Sequence, residues 1–266
     1  LGNTLEKIAA EKAGIIKNCT PVVIATQQTE SVKIIFREKA ITRHAPYYFV
    51  DDLIKNDFYS FDEQNKKMKI HLESEIFDRP IETNLSLLGK AQALNAAMAC
   101  IAVKKLFPNM DESIIERGLA NAVLPGRFEI LENIKNYSNI KQLILDGAHT
   151  YNSINLTLDT LNKLYDDKKV YLLFACAADK DVVDFAKLLK YRFEKIFLTI
   201  PGERKESNLK LAEDSFQNEK LNFVSDSNYK QMIKKAFEEA DTNNSILLVT
   251  GSFYLVSEVK LFMASL

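Results

Sequence analysis

The sequence predicts an α/β protein whose C-terminal half is a mostly parallel, doubly wound sheet, and three observations carry that expectation. Beyond Phe128, apolar runs at Gln142–Leu145, Val170–Ala175, Lys195–Ile200 and Ser245–Val249 alternate with helical patterns near Asn155–Leu164, Val182–Leu189, Lys210–Gln217 and Tyr229–Ala240. Strands and helices alternating at this spacing build a parallel sheet. Apolar residues make up 47% of the 266 positions, enough core for one large or two ordinary domains. Charged and hydroxyl residues then gather just after each of the four strands, where open parallel sheets bind ligands.

The N-terminal half reads differently. A helix is expected from Leu5 to Ile16, a strand at Pro21–Ala25, and a second helix up to about Ala40. Short β-rich runs follow at Tyr47–Val50, Phe58–Phe61 and Met68–Leu72, parted by polar turns such as Asp62-Glu63-Gln64-Asn65, which is a hairpin pattern. From Ala91 to Phe107 the chain is apolar on every side and predicts a buried helix. A more polar helix over Asp111–Ala120 ends at Leu124-Pro125-Gly126, the expected hinge between the two parts.

Composition excludes several classes. With 35 basic and 36 acidic residues, the chain has no charge excess for coating a nucleic acid. No apolar run approaches the ~18 residues of a membrane span, and no signal pattern opens the chain. Cys19, Cys100 and Cys176 are widely spaced and odd in number, the pattern of reduced cytoplasmic thiols. The eight glycines never fall within six residues of one another, so neither a Walker loop nor a dinucleotide fingerprint is present. The first residue is not Met, and Leu1-Gly2-Asn3 reads as a helix entrance, so the chain is expected to begin inside a longer protein.

Candidate site residues follow from these elements. Asp146-Gly147-Ala148-His149 places an acid and an imidazole around a glycine turn after one strand. Asp179 and Ser252 follow two others, where each could equally be a helix N-cap. Lys12 shares a helical stripe with Leu5, Ile8, Ala9, Ile15 and Ile16, so its ammonium must snorkel, pair or lose its charge. A desolvated lysine can also add carbon dioxide, and the carbamate would suit a hard cation such as Mg²⁺. Asn95 inside the apolar helix needs a hydrogen-bond partner. Arg127, just past the hinge, could reach a phosphate or form a surface ion pair. His44 and His71 have no ligand neighbours at metal spacing and are assigned nothing.

Six segments in order resemble those of one family: Leu1–Lys17 with Pro21-Val22-Val23; Leu88-Gly89-Lys90-Ala91-Gln92 with Asn95-Ala96-Ala97; Leu124–Glu129 ("PGRFE"); Leu145–His149 ("DGAH"); Asp179-Lys180-Asp181; and Val249–Val256. The chain thereby resembles the folylpolyglutamate synthase and dihydrofolate synthase group of the Mur ligase superfamily. Two departures stand out. Ala91 replaces the family's histidine in "G-x-H-Q", and Thr150-Tyr151 replaces the Asn-Pro of "DGAHNP".

The resemblance implies that residues 1–126 are the C-terminal part of a Mur-type central ATPase domain. Residues 127–266 would be the Rossmann-like C-terminal domain on the glutamate side. Lys12 would be the carbamylated lysine holding Mg²⁺. Asn95 and Arg127 would contact ATP, and Asp146 would contact nucleotide or orient its loop. His149 and Ser252 would lie near the incoming glutamate and the transferring phosphate. The implied enzyme is a cytoplasmic, monomeric ATP-dependent ligase joining L-glutamate to a folate or dihydropteroate carboxylate through an acyl phosphate. Neither nucleic acid nor membrane is an expected partner. The family's phosphate loop and metal-binding histidine would lie before Leu1, so these 266 residues alone are expected to be inactive. The other readings are a non-catalytic binding or assembly module, a sister ligase of peptidoglycan precursors, and a hydrolase using Ser252, His149 and Asp146. The last lacks a G-x-S-x-G elbow.

Overall fold

The computed structural model describes residues 2–55, 58–166, 169–190 and 192–266; Leu1, the start of the expected helix entrance, lies outside them. Two compact units divide the chain: Leu1–Ser86 with Lys90–Ala122, and Leu87–Gly89 with Val123–Leu266.

In the first unit, α1 (Leu5–Lys12) begins where Thr4 Oγ1 accepts from Lys7 N, and tightens into a 3-10 turn over Ala13–Ile15. Strands β1 (Val22–Ile24) and β2 (Tyr47–Phe49) pair in parallel, with α2 (Glu30–Thr42) between them in sequence. The run at 47–50 stops one residue short as a strand, because Val50 opens a short helix, α3 (Val50–Leu53).

Strands β3 (Tyr59–Asp62), β4 (Lys67–Leu72) and β5 (Ile81–Leu85) form an antiparallel sheet in that order. Asp62 closes the first hairpin by accepting from Asn65 N. Met68, Ile70 and Leu72 are buried while the residues between them face out, the period of a half-covered strand. Sequence reading did not single out β5, since Ile81 and Leu85 are its only apolar residues.

Helices α4 (Lys90–Leu106) and α5 (Glu112–Ala120) complete the unit. Although apolar all round in sequence, α4 buries one face: Ala93, Ala96, Ala97, Cys100, Ile101 and Lys104. Lys104 is only 5% exposed; its ammonium meets Asp78 Oδ2 at 2.8 Å, Glu112 Oε1 at 2.7 Å and the Met110 carbonyl at 3.0 Å. This saturated ion cluster ties α4 to the start of α5, and a buried charge demands such partners.

The second unit holds β6 (Glu129–Leu131), β7 (Gln142–Leu145), α6 (Tyr151–Tyr165), β8 (Val170–Phe174), α7 (Val182–Leu189), β9 (Lys195–Leu198) and α8 (Leu209–Asn218). It continues with β10 (Phe223–Ser225), α9 (Tyr229–Thr242), β11 (Ile246–Thr250) and α10 (Phe253–Ala264). The sheet order is β10-β9-β8-β11-β7-β6, parallel except for β6 at the edge. This is the predicted mostly parallel α/β sheet; β6, β10 and α10 are additions that the sequence pattern had not separated.

Every residue of β7, β8 and β11 is buried, as in strands covered on both faces. One face sends Leu143, Leu145, Leu173, Leu247 and Val249 against Ile233, Ala236 and Phe237 of α9 and Leu255 and Val259 of α10. On the other, the Phe174 ring meets Phe185 of α7 and Phe216 of α8. No helix among the described residues is long and apolar enough to cross a membrane.

Two outcomes follow from this packing. Phe237 is fully buried, with its ring 5.3 Å from Tyr137 and 5.1 Å from Phe262. Phe237→Ala should therefore cost about 3–5 kcal/mol, measured by urea unfolding. In β4, the register sets His71 opposite Glu82, so its Nδ1 lies 2.8 Å from Glu82 and its Nε2 3.1 Å from Glu73. His71 therefore does have acidic neighbours, contrary to expectation: Glu73 stands two residues on in sequence, and the register brings Glu82 opposite. The hydrogen bond to Glu73, followed by that to Glu82, raises the imidazole pKa. Its stabilising effect is thus complete below the ordinary histidine value and fades as pH rises through the raised one. An NMR titration of His71 should show the raised midpoint, and Glu82→Gln should lower it; a midpoint unmoved in that variant would refute the coupling.

Candidate functional site

The loop after β7 is organised by one buried carboxylate. Asp146 is 7% exposed and accepts from Phe128 N at 2.8 Å, Ala148 N at 2.9 Å and Thr157 Oγ1 at 2.9 Å. Burial pushes its pKa up, while these three donors and nearby Arg127 oppose the rise. Thus Asp146 fastens residues 126–128, its own loop and α6 together. Gly147 N adds a bond to the Gly126 carbonyl at 2.8 Å. Gly147 must be glycine because a Cβ there would lie 2.3 Å from the Phe253 ring.

That ring, in the first turn of α10, carries the Arg127 guanidinium on its face at 4.5 Å. Glu129 holds the same segment from beneath, accepting from Gly126 N at 2.8 Å and pairing with Lys260 of α10 at 2.7 Å.

Beside this loop a cavity of about 210 Å³ is lined by His149, Ala177, Asp179, Lys180, Lys205, Gly251, Ser252, Phe253 and Tyr254. Its walls follow β7, β8, β9 and β11 at their carboxyl ends. Because β11 lies between β7 and β8, the cavity opens at the topological switch point of the sheet, where ligands of such folds bind. His149 Nδ1 lies 2.9 Å from the Gly147 carbonyl, which fixes the ring. Ser252 is the N-cap of α10, its Oγ accepting from Tyr254 N. Gly251 has φ +96°, and a Cβ there would sit 2.3 Å from the Ala175 carbonyl, so the chain can enter α10 this way only with glycine.

Several expectations change at the level of individual residues. Lys12 is exposed, as are Leu5 and Ile15; the buried face of α1 and its 3-10 turn runs through Ala9, Ala13 and Ile16. The expected stripe is displaced toward Ala13, so Lys12 meets no desolvation in the first unit. Asn95 is also exposed: it falls off the buried face of α4 and lines an apolar groove with Ile15, Val23 and Met98. A buried partner is therefore not required. Of the two alternatives for Arg127, the surface ion pair is not what the structure has: the side chain is half-buried with its guanidinium over the Phe253 ring. Of the two candidate caps, Ser252 caps its helix, whereas Asp181 rather than Asp179 caps α7.

The structure gathers Arg127, Asp146, His149 and Ser252 in the second unit; Lys12 and Asn95 belong to the first. Ser252, His149 and Asp146 form no hydrogen bonds with one another among the described residues, so the hydrolase relay is not assembled. Burial pushes the Cys100 and Cys176 thiols up to about 12, which leaves both unreactive. Sequence reading missed Phe253, Thr157 and Lys205 as site-forming residues. Thr157 lay four residues beyond Ser153 with no distinguishing signal, and Lys205 sat in an ordinary charged loop.

A mostly parallel sheet with a cavity at its switch point, preceded by a Pro-Gly-Arg-Phe-Glu segment, agrees with the resemblance to the C-terminal domain of Mur-type ligases. Residues 126–253 match the family described as Mur ligase, glutamate ligase domain. Over almost its whole length the chain is similar in sequence to folylpolyglutamate and dihydrofolate synthases. It is 27% identical to the dihydrofolate synthase/folylpolyglutamate synthase of Bacillus subtilis over 98% of its own length. It superposes on the folylpolyglutamate synthase of Thermotoga maritima with a TM-score of 0.77 at 24% identity, covering 98% of this chain and 58% of that one. A Mycobacterium tuberculosis folylpolyglutamate synthase solved with ADP and AMPPCP matches with the same TM-score at 21% identity, over 99% of this chain and 60% of that one. The chain spans 58% of the length of its Bacillus relative.

The Asp146 arrangement makes a direct prediction. Asp146→Asn replaces one acceptor oxygen with a donor facing a backbone N–H or the Thr157 hydroxyl, and should cost about 1–3 kcal/mol. Thermal unfolding with hydrogen exchange at Phe128 and Ala148 would measure it, and unchanged protection at both amides would count against the role.

Proposed function

We propose that this protein is an ATP-dependent amide ligase that adds L-glutamate to a folate or dihydropteroate carboxylate through an acyl phosphate. The observation that carries the reading is the small cationic cavity at the sheet's switch point, lined by His149, Lys180, Lys205 and the start of α10. Similarity to folylpolyglutamate synthases, one of them solved with ADP and AMPPCP, supports the nucleotide and the substrate class.

In this reaction the protein's task is to align two carboxylates with a triphosphate and to offset their repulsion. Arg127, supported on the Phe253 face, offers guanidinium donors to ATP, and Asn95 supplies an exposed amide for it. Asp146 orients the loop that presents His149. His149 and Ser252 lie beside the incoming glutamate and the transferring phosphate. For Lys12, which is exposed, the resemblance rather than burial supports carbamylation. Its carbamate fits Mg²⁺, which commonly binds one or two carboxylates together with substrate phosphates and water. Bound there, the ion would offset phosphate charge. Consumption of ATP and folate suits a cytoplasmic enzyme.

The assay is ATP-dependent incorporation of labelled glutamate into tetrahydrofolate and dihydropteroate, using protein expressed from its natural start. Incorporation is expected for at least one acceptor, and Lys12→Ala should lower turnover by roughly a hundredfold or more, the scale for losing one transition-state electrostatic contact. Undiminished turnover in Lys12→Ala would remove that lysine from the site. A glutamate-independent esterase activity lost in Ser252→Ala would replace the ligase reading altogether.

A further inference from the structure

Arg127 sits between two residues in the left-handed backbone region, Gly126 at φ +72° and Phe128 at φ +47°. For a bulky residue such as Phe128 that conformation is unfavourable, so the segment keeps its shape only where its surroundings hold it. It is held on both sides of the arginine. On the C-terminal side, Asp146 Oδ2 accepts from Phe128 N at 2.8 Å. On the N-terminal side, the Gly126 carbonyl accepts from Gly147 N at 2.8 Å, and Gly126 N donates to Glu129 Oε2, also at 2.8 Å. Glu129 is therefore the side chain that fixes the residue preceding Arg127.

Glu129 is itself held by Lys260, whose Nζ lies 2.8 Å from Oε1 and 2.7 Å from Oε2. A partly exposed ion pair adds little stability by itself, so this one matters through the backbone it keeps in place. Lys260 follows Phe253 on α10 by seven residues, with Val256 between them, and positions three and seven apart share one face of a helix. That face meets the segment repeatedly. The Phe253 ring lies against the Arg127 guanidinium at 4.5 Å, a Cβ on Gly126 would come within 3.3 Å of Val256 Cγ1, and Lys260 pairs with Glu129. One helix face thus supports both the head of the arginine and the backbone that carries it.

We infer that Glu129, anchored by Lys260, is a positioning residue for Arg127: it sets where the guanidinium stands over the Phe253 ring, and so how well its free donors meet a phosphate. The inference rests on the reading that Arg127 contacts ATP.

Steady-state ligation kinetics of protein expressed from its natural start test it, with the ATP and glutamate dependences measured separately. Glu129→Ala should raise KM for ATP roughly tenfold, the scale of one lost hydrogen bond to a charged group, with a smaller change in kcat and none in KM for glutamate. Glu129→Gln keeps an acceptor for Gly126 N without the ion pair and should recover part of the loss. Lys260→Met should resemble Glu129→Gln, and Lys260→Arg should stay near wild type; these two carry the same comparison if Glu129→Ala does not fold. In an Arg127→Ala background, Glu129→Ala should raise KM for ATP no further, because its effect passes through the arginine. An unchanged KM for ATP in Glu129→Ala and Lys260→Met, or a full further loss in the Arg127→Ala background, would overturn the inference alone. No ATP-dependent incorporation by wild type, or an unaltered KM for ATP in Arg127→Ala, would overturn the underlying reading as well.

Discussion

The second unit depends on a carboxylate that has been taken out of water and given three donors in return. A buried aspartate is unfavourable by itself, and Asp146 is tolerated because two backbone amides and the Thr157 hydroxyl surround it. Those donors come from the segment entering β6, from the loop after β7 and from α6. One side chain therefore fixes three pieces of backbone that are far apart in sequence. Phe128, at φ +47°, adopts a backbone conformation unusual for a bulky residue, in the segment that this bond secures. From that anchored segment Arg127 projects onto Phe253, and from the same loop His149 turns toward the cavity.

The two glycines at the heart of the site work by absence of a side chain. Gly147 lets the Phe253 ring lie against the backbone, and that ring in turn supports Arg127. Gly251 lets β11 pass the Ala175 carbonyl and turn directly into α10, which brings the helix N-terminus to the cavity wall. Glycine is scarce in this chain, eight in 266 residues, and three of the eight, Gly147, Gly202 and Gly251, stand just after strands of the second unit.

Much of the sheet was legible because β7, β8, β9 and β11 are strongly apolar runs separated by amphipathic helices. The elements that escaped notice are short or polar: β5 has apolar residues only at its ends, and β6 and β10 have three residues each. Residues within the loop after β7 were legible because an acid, a glycine and an imidazole stood together there. Lys12 and Asn95 show the limit of periodicity as a guide to burial. A stripe of apolar residues names a face of a helix, but packing selects which flank of it is covered. In α1 and the turn after it Ala9, Ala13 and Ile16 are covered, and Leu5 and Ile15 remain outside. In α4 the covered face runs through Ala93, Ala96, Ala97, Cys100, Ile101 and Lys104, and Asn95 falls outside it. Lys205 was illegible for another reason: its place in the site comes from hydrogen bonds between two loops that are nearly thirty residues apart.

The way each cation is held explains how the site can remain positive. A lysine or arginine paired one-to-one with a carboxylate has its charge largely answered before any ligand arrives. Arg127 is instead supported by an aromatic face, an interaction that orients the guanidinium and leaves its edge donors available. Lys180 and Lys205 share a single carboxylate, so neither is fully compensated. The α10 N-terminus contributes through backbone dipoles, which no side chain neutralises apart from the Ser252 cap. Compare Lys104, where Asp78, Glu112 and a carbonyl saturate one ammonium and leave it nothing to offer a ligand. The same residue type is thus used in two ways within one chain. Where carboxylates outnumber the cation, the cluster is structural; where cations outnumber the carboxylate, as around Asp179, positive charge is left facing the cavity.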